Sequence, residues 1–304
     1  MATSENFHSP ILPPALKPGD LVRVIAPSGA LREFAAFEQS IEIWRSRGYK
    51  VEVSPHICDR WGYLAGSDST RTQELAQAWQ DPDCRAILCA RGGFGSTRIL
   101  ENWQWSQTTT PKWVIGFSDI TALLWSLNKI GVVGIHGPVL TTLVDEPEWS
   151  RQRLFDLVEG REVAPLKGYG WGGGVVTGTL LAGNLTVATH ILGTPLQPNL
   201  EGVILALEDV TEAPYRIDRM LTQWRLSGAL GKIAGIALGT FTKCEPPANI
   251  PSLTVEEVLR DRLGDLGIPI VSDLPFGHDS PNAALPVGVQ VTLDGEQGIL
   301  EIKK

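Results

Sequence analysis

Short apolar runs alternate with longer segments of helical periodicity along the first half of the chain. Five of these runs predict strands, at residues 21–26, 49–53, 86–90, 113–117 and 132–135. Between the first two, Phe34, Phe37, Ile41 and Trp44 recur at spacings of three and four, which is typical of the apolar face of a helix. This alternation predicts an α/β fold in which helices cover a parallel sheet.

Glycine interrupts the pattern in the middle of the chain. The segment at residues 161–178 contains Gly168, Gly170 and three consecutive glycines at 172–174, which are too many for a regular element. It therefore predicts a linker or a loop over a cleft. Because 304 residues are close to the upper limit for a single core, we expect two domains, at residues 1–160 and 179–304.

The second half of the chain again predicts strands and helices in alternation. Apolar runs that are typical of strands lie at residues 203–207, 233–238 and 268–271. Helices are predicted after Asn184, Pro214 and Thr254, and the pair Asp294-Gly295 is typical of the turn in a closing hairpin. The C-terminal domain is thus predicted to be a smaller α/β unit.

Acidic residues outnumber basic ones. The chain has 34 Asp and Glu against 26 Lys and Arg, which gives a net charge of -8 and a pI of about 5.2. This charge repels phosphate backbones and anionic membranes, so we expect neither nucleic acid nor a membrane as a partner. The first residues lack the basic start and apolar run of a signal peptide, and no later stretch is apolar for long enough to span a bilayer. We expect a cytoplasmic protein.

Four cysteines are scattered along the chain: Cys58, Cys84, Cys89 and Cys244. They lack the CxxC spacing of a zinc site, and in a chain of this size their distribution favours reduced thiols over a disulfide framework. We expect no bound metal and no cofactor.

A serine and an aspartate directly follow the fourth predicted strand. Ser118-Asp119 precede an amphipathic segment and so lie on a sharp strand-to-helix turn. Such a turn exposes a serine Oγ that can attack a carbonyl, while the N–H of Asp119 receives the oxyanion. Serine and aspartate also cap helices very often, and the full GxSxG signature is absent, so both interpretations stay open.

A serine nucleophile needs a base, and the chain has five histidines: His8, His56, His136, His190 and His278. His136 and His278 each follow a predicted strand, in loops that can face the same crevice as Ser118. His136 precedes a Gly-Pro pair, and His278 lies among small and polar residues, where a histidine is freer to act. The spacing in the sequence does not choose between these two.

An acid that orients the histidine is also available. Glu208 ends the apolar run at residues 203–207, so its carboxylate is held at the edge of the core. That position suits a group that fixes a histidine tautomer and stabilises the imidazolium. Asp209 and Glu212 compete with it, and an acid at the start of a helical turn is an equally common arrangement.

A glycine-rich turn, Gly-Gly-Phe-Gly at residues 92–95, follows the third predicted strand. Glycine accepts positive φ and has no side chain to clash, so the backbone here can approach a ligand closely. The turn could supply a second oxyanion N–H or surround a phosphate. Its spacing fits neither GxGxxG nor GxxxxGKS/T, which argues against a nucleotide site.

Many ordered motifs together resemble the LD-carboxypeptidase family of serine peptidases, which also includes the microcin-immunity peptidases. The resemblance extends over residues 16–288, nearly the whole chain. The motifs that carry it are LKPGD at 16–20, APS at 26–28, LAGSD at 64–68, RGGFG at 91–95, GFSDIT at 116–121, HGP at 136–138, LED at 207–209, PYRIDR at 214–219, FGH at 276–278 and PVG at 286–288.

The resemblance implies Ser118 as nucleophile, His278 as base and Glu208 as the acid that orients it. It implies oxyanion donors at the backbone N–H groups of Asp119 and Gly93. It also implies an N-terminal flavodoxin-like parallel-sheet domain, a second, smaller C-terminal α/β domain, an active site between them, and a homodimer.

By the same likeness the substrate is a muropeptide, a murein tetrapeptide that loses its terminal D-alanine during cell-wall recycling. Ser28, Arg91 and Asn184 are candidate contacts to the substrate's terminal carboxylate. Two other functions remain as hypotheses. One is a microcin-immunity-type peptidase that cleaves an aminoacyl-nucleotide amide. Trp171 could stack on the base there, although a tryptophan that covers the seam between two domains is the more common arrangement. The other is a nonhydrolytic module that binds a phosphorylated ligand.

Overall fold

Two β-sheets with helices packed on them make up the fold. The computed structural model describes residues 10–106, 110–246 and 248–303. The candidate base His8 lies outside the described residues. The remaining residues that the sequence singles out for chemistry lie inside them.

Fourteen strands and eight α-helices occur in the described ranges. The strands are β1 Leu21–Ile25, β2 Lys50–Val53, β3 Cys84–Cys89, β4 Trp113–Gly116, β5 Gly134–His136, β6 Leu166–Lys167, β7 Tyr169–Gly170, β8 Val175–Asn184, β9 Val203–Val210, β10 Gly235–Thr242, β11 Ile270–Ser272, β12 Leu285–Val287, β13 Gln290–Asp294 and β14 Ile299–Ile302. The helices are α1 Phe34–Ser46, α2 Asp68–Gln80, α3 Ser96–Leu100, α4 Thr121–Asn128, α5 Glu148–Val158, α6 Leu185–Ile191, α7 Pro214–Leu226 and α8 Val255–Leu263. The predicted α/β class is confirmed.

The first sheet has the strand order β12-β5-β4-β3-β1-β2. The five strands predicted in the first half of the sequence are β1 to β5, and all of them are parallel. The central strands β3 and β4 are almost entirely buried, which explains their continuous apolar sequences. The sixth strand, β12, comes from the predicted C-terminal domain and pairs antiparallel with β5. The end of the chain therefore completes the sheet that its beginning builds.

The second sheet has the order β6-β14-β13-β8-β9-β10-β11-β7. Its central strands β8 to β11 are parallel, whereas the strands on both sides of them are antiparallel. The predicted hairpin is confirmed as β13 and β14. In the register of β8 and β9, Asn184 lies directly opposite Glu208, so both side chains belong to the same edge of the sheet.

The prediction of a loop at residues 161–178 is wrong in part, because β6, β7 and the start of β8 lie in it. Its glycines allow close packing instead of flexibility. A Cβ on Gly170 would lie 2.2 Å from the carbonyl oxygen of Gly295, and one on Gly173 would lie 2.5 Å from that of Ile268. The segment is thus held tightly against neighbouring backbone.

Helix α4 lies between the two sheets. The sequence predicted an amphipathic segment here, but every residue from Thr121 to Leu127 is buried. On one side a Cβ on Gly134 of β5 would lie 2.6 Å from Leu124, and on the other the Trp125 indole donates to the carbonyl of Ala182 in β8 at 2.9 Å. Because both sheets hold α4, they also hold the turn that leads into it.

The stripe predicted for α1 is correct except at its first residue. Phe37, Ile41 and Trp44 are buried, whereas Phe34 is 48% exposed. Phe34 is the first residue of the helix, one turn before Phe37, the first of its buried residues.

Three further observations bear on function. No helix in the described ranges is both long and apolar enough to cross a bilayer. The four cysteines are free thiols, of which only Cys58 is exposed. Nowhere in residues 10–106, 110–246 and 248–303 do three His, Cys, Asp or Glu side chains group so that they could hold a metal ion.

Candidate active site

The turn after β4 holds Ser118 in an unusual conformation. Ser118 has a φ of 62°, in the left-handed region that residues other than glycine rarely occupy. A 3-10 turn at Ser118–Ile120 then leads into α4. Gly116 permits this tight geometry, because a Cβ there would lie 2.9 Å from the side chain of Ile120. A strained serine between a strand and a helix is characteristic of a nucleophile turn.

Ser118 faces His278 across the gap between the two sheets. The Nε2 atom of His278 lies 3.1 Å from the Oγ of Ser118, within hydrogen-bonding distance although the residues are 160 positions apart. Gly277, with a φ of +133°, brings the histidine loop close to the second sheet, because a Cβ there would lie 2.3 Å from Thr240 and 3.2 Å from the Cβ of Glu208. Any larger residue would push the loop away.

The other ring nitrogen of His278 contacts Glu208. Its Nδ1 lies 2.6 Å from Oε2 of Glu208, a fully buried residue of β9. Burial raises the pKa of Glu208, and the hydrogen bond and positive charge of His278 oppose that rise. A buried carboxylate of this kind holds one imidazole tautomer and stabilises the imidazolium once it forms.

His136 is packed away from the serine. Its ring is fully buried between the rings of Phe117 and Phe276, with centroid distances of 6.0 and 6.1 Å. Among the described residues neither of its ring nitrogens has a hydrogen-bond partner. Burial, followed by the nearby charge of His278, lowers the pKa of His136 to about 3. The structure therefore pairs Ser118 with His278, and His136 stays neutral beside them.

The acids that compete with Glu208 are engaged elsewhere. Asp209 accepts hydrogen bonds from the Asn184 amide and from both the N–H and the hydroxyl of Thr186, at 2.8 to 2.9 Å. Glu212 lies 3.4 Å from Arg216. Asn184 also caps α6 by accepting from the N–H of Val187, so both ends of its amide are occupied, although its side chain still lines the cavity.

Asp119 is fixed by two buried serines. Its Oδ2 accepts the hydroxyl of Ser28 at 2.6 Å and the N–H of Ser96 at 2.8 Å, and the Ser96 hydroxyl donates to its carbonyl. Burial is the main influence on the Asp119 carboxyl and raises its pKa, and these donors oppose it. The capping interpretation is wrong, because no side chain caps the 3-10 turn or α4. The bonds instead hold the backbone next to Ser118.

Two of the three residues predicted to contact the substrate's carboxylate thus form hydrogen bonds within the protein instead. Ser28 is fully buried and donates to Asp119, and the amide of Asn184 is occupied as described. Arg91 is partly buried, with its Nε 3.3 Å from Glu33. Ser96 was missed in the sequence, where a serine after Gly95 simply indicates the start of a helix.

The glycine turn packs directly on the serine. A Cβ on Gly92 would lie 2.9 Å from the Cβ of Ser118 and 3.1 Å from its Oγ, so only glycine fits there. Gly93 has a φ of +104° and lines the same cavity as Ser118 and Asp119. The family resemblance implies Gly93 as an oxyanion donor, and the sequence did not identify the close approach of Gly92 to Ser118.

A cavity of about 860 Å³ opens over Ser118. This volume lies within the range that is usual for small-molecule sites. Its lining is largely apolar and includes Gly93, Phe94, Thr97, Leu100, Glu101, Ser118, Asp119, Asn184, Thr186, Val187, His190, Ile191, Thr194, Pro195, Leu196, Asp209, Val210 and Glu212. The cavity can accommodate a peptide with its carbonyl beside Ser118.

Comparison with known families agrees with this geometry. The family model for the LD-carboxypeptidase N-terminal domain matches residues 22–137, and that for the LD-carboxypeptidase C-terminal domain matches residues 177–293. The chain belongs to the LD-carboxypeptidase family. It is an enzyme, a serine-type carboxypeptidase of that family, which confirms the predicted resemblance.

Individual proteins are similar to this chain along nearly their whole length. A putative carboxypeptidase of Synechocystis sp. is 59% identical over 296 residues, which cover 97% of each chain. The crystal structure of a muramoyltetrapeptide carboxypeptidase from Oxalobacter formigenes has a TM-score of 0.83 and 30% identity, over 93% of this chain and 99% of that one. The structure of MccF in complex with glutamyl sulfamoyl guanosine has a TM-score of 0.86 over 97% and 99%, but its 22% identity indicates the shared fold alone.

Proposed function

We propose that this LD-carboxypeptidase removes the terminal D-alanine from murein tetrapeptides by acyl transfer to Ser118. The observation that carries the proposal is the continuous relay from Ser118 to His278 and from His278 to Glu208, with contacts of 3.1 and 2.6 Å. A hydroxyl, an imidazole and a buried carboxylate in this order are the working parts of a serine hydrolase.

In the first step His278 takes the proton of Ser118 as its Oγ attacks the carbonyl that precedes the terminal D-alanine. The proton bound at Nε2 then passes to the nitrogen of the leaving amino acid as the C–N bond breaks. Glu208 stabilises the imidazolium that exists between these two events, because it lies 2.6 Å from Nδ1 in a buried site. The products of this step are D-alanine and an ester at Ser118.

The tetrahedral intermediate needs donors for its oxyanion. We assign them to the backbone N–H groups of Asp119 and Gly93, which belong to the two turns beside Ser118. The buried bonds of Asp119 to Ser28 and Ser96 keep one turn in place before substrate arrives. Donors that are already oriented stabilise developing charge without a reorganisation cost.

Water completes the cycle. His278 accepts a proton from a water molecule that attacks the ester carbonyl, and the proton then returns to Ser118 Oγ as the tripeptide leaves. The same histidine therefore serves as base and acid in both halves of the reaction.

The proposal is tested by incubating the purified protein with a murein tetrapeptide and measuring the products by mass spectrometry. We expect the loss of one alanine. Ser118→Ala should abolish that loss while the protein stays folded, and the exposed Ser46→Ala, on α1, should leave it unchanged. Release of alanine by Ser118→Ala at the rate of the unaltered protein would overturn the assignment.

The alternative substrate, an aminoacyl-nucleotide amide, stays a prediction. Trp171, which could stack on the base, does not line the Ser118 cavity. Its ring is covered by the guanidinium of Arg260 at 3.9 Å, and its indole N–H donates to Ser272. A purely binding role for a phosphorylated ligand does not agree with membership of a peptidase family.

We also propose that the protein is a cytoplasmic homodimer, as the resemblance implies. Light scattering on the purified protein would then give a mass of about twice 33.0 kDa. A mass of one chain at micromolar concentration would contradict the dimer, and recovery of the protein outside the cytoplasmic fraction of its source cells would contradict the location.

A further inference from the structure

A second hollow opens beside the Ser118 cavity. Its volume is about 450 Å³, and it shares Thr186, His190 and Glu212 with the wall of the larger cavity. Ser118 and Gly93 line the large cavity and not the hollow. The hollow therefore adjoins the large cavity without including the reacting serine, so a substrate held at Ser118 would enter it only with a part other than the reacting carbonyl.

Two arginines of α7 line this hollow. Arg216 and Arg219 are three residues apart, so they lie on the same side of the helix, and both are exposed. Two cations at one hollow are notable in a chain with a net charge of -8. They belong to the motif PYRIDR at residues 214–219, and no residue of this motif has a role in the proposed reaction.

The two arginines differ in what they already contact. Arg216 lies 3.4 Å from Glu212, which offsets part of its charge. Arg219 forms no ion pair within the part of the chain that the structure describes. By contrast, Arg225 on the same helix donates twice to the carboxylate of Asp265, with both distances 2.7 Å. The guanidinium of Arg219 lies 5.8 Å from the ring centroid of Tyr215, a contact that leaves its N–H donors for a ligand.

Arginine recognises carboxylates because its planar guanidinium can form two parallel hydrogen bonds with them. The leaving alanine is a single residue that spans about 3.5 Å, so it stays close to Ser118, which does not line the hollow. The acyl side of a murein tetrapeptide is longer and carries a free carboxylate, since its glutamate is linked to the next residue through the γ-carboxyl. We propose that Arg216 and Arg219 form an anion subsite for this carboxylate, an inference that rests on the proposed function.

Binding to the inactive Ser118→Ala protein tests the subsite without cleavage. The probes are two peptides, L-Ala-γ-D-Glu-L-Lys-D-Ala and its counterpart in which the free glutamate carboxyl is an amide. Titration calorimetry gives a Kd for each. The test protein adds Arg216→Gln and Arg219→Gln. The control protein adds Arg45→Gln and Arg151→Gln instead, which remove the same charge from ion pairs that line neither the Ser118 cavity nor the hollow.

We expect Ser118→Ala to bind the free carboxylate about tenfold more tightly than the amide, as a charge-assisted pair implies. The preference should vanish in the Arg216/Arg219 variant and persist in the control. Equal binding of both peptides by Ser118→Ala, a preference that survives loss of both arginines, or no binding of either peptide would overturn the inference.

Cleavage by the unaltered protein separates this inference from the proposed function. Alanine release together with equal binding of the two peptides would leave the reaction standing and remove the subsite. Preferential binding of the carboxylate without alanine release would support the subsite and overturn the reaction.

Discussion

Three side chains from distant parts of the sequence carry the proposed chemistry, and each is held by a different local device. Ser118 is presented by a strained turn, Glu208 by the end of a buried strand, and His278 by a loop that depends on Gly277. The sequence contained these residue types but did not show that the three side chains lie next to each other in the fold. Only the fold decides which of two histidines faces the serine.

Glu208→Gln tests the acid at the residue scale. Glutamine keeps the size of the side chain but cannot stabilise an imidazolium, and it can hold the wrong tautomer. We expect kcat to fall about 10³- to 10⁴-fold, as for the acid of other catalytic triads. Steady-state kinetics on a tetrapeptide give the value, with the exposed Glu201→Gln as control. A loss smaller than about tenfold would remove Glu208 from the mechanism.

The low pKa of His136 predicts that the free energy of unfolding depends on pH. Its pKa is about 3 in the folded protein and near 6.5 when unfolded, so between these values the unfolded chain binds more protons. The contribution of neutral His136 is therefore complete above pH 6.5 and declines as the pH falls toward 3. Between pH 7.5 and pH 5 this costs about 2 kcal/mol of the free energy of unfolding.

His136→Phe should remove this term, because phenylalanine suits a site between Phe117 and Phe276 and cannot be protonated. Urea unfolding at the two pH values measures the difference. The unaltered protein should lose about 2 kcal/mol more than the variant on acidification. Equal losses in both proteins would show that His136 does not titrate as described.

At the scale of elements, the strands were predictable because continuous apolar runs between helices leave little choice. The predicted ends of β1 to β5 agree with the structure within two residues. The segment at 161–178 failed because glycine has two uses, freedom in a loop and close backbone contact in a sheet, and the composition does not distinguish them. The position of β12 could not be predicted, since its partner β5 is remote in sequence.

The histidine loop gives a prediction about one element. Gly277→Ala would place a Cβ 2.3 Å from Thr240 at a positive φ, which forces the loop and His278 away from Glu208. We expect kcat to fall at least tenfold. Gly267→Ala is the matched control, because its φ is +66° and nothing lies within 4 Å of the added carbon. It should cost about 1 kcal/mol of stability with normal kcat.

Should Gly277→Ala and Gly267→Ala retain equal activity, the close packing of the loop would have no part in positioning the base. Thermal unfolding of both variants distinguishes a displaced loop from general loss of the fold.

At the scale of the whole molecule, the site exists because α4 packs against both sheets. The serine enters from the first sheet, and the acid comes from the second. Buried contacts such as that from Trp125 to Ala182 keep the two halves in fixed relation. Close-packed interiors such as those of folded proteins favour a single arrangement of the relay over a range of arrangements.

The sequence motifs pointed to the proposed triad only through resemblance to a family, because spacing alone did not choose between His136 and His278. The uses of Ser28 and Asn184 could not be predicted either. A polar residue beside a site can bind substrate or hold a neighbour, and only the contacts to Asp119 and Asp209 decide between these.

The most direct test of the account is to catch the acyl group on the enzyme. Purified protein is mixed with a murein tetrapeptide, quenched with acid within milliseconds to seconds, and analysed by intact-mass and peptide-mapping mass spectrometry. The account predicts a transient adduct with the mass of the tripeptidyl group, located on Ser118, followed by free tripeptide and D-alanine. Alanine release with an adduct on another residue, or no release at all, would contradict it.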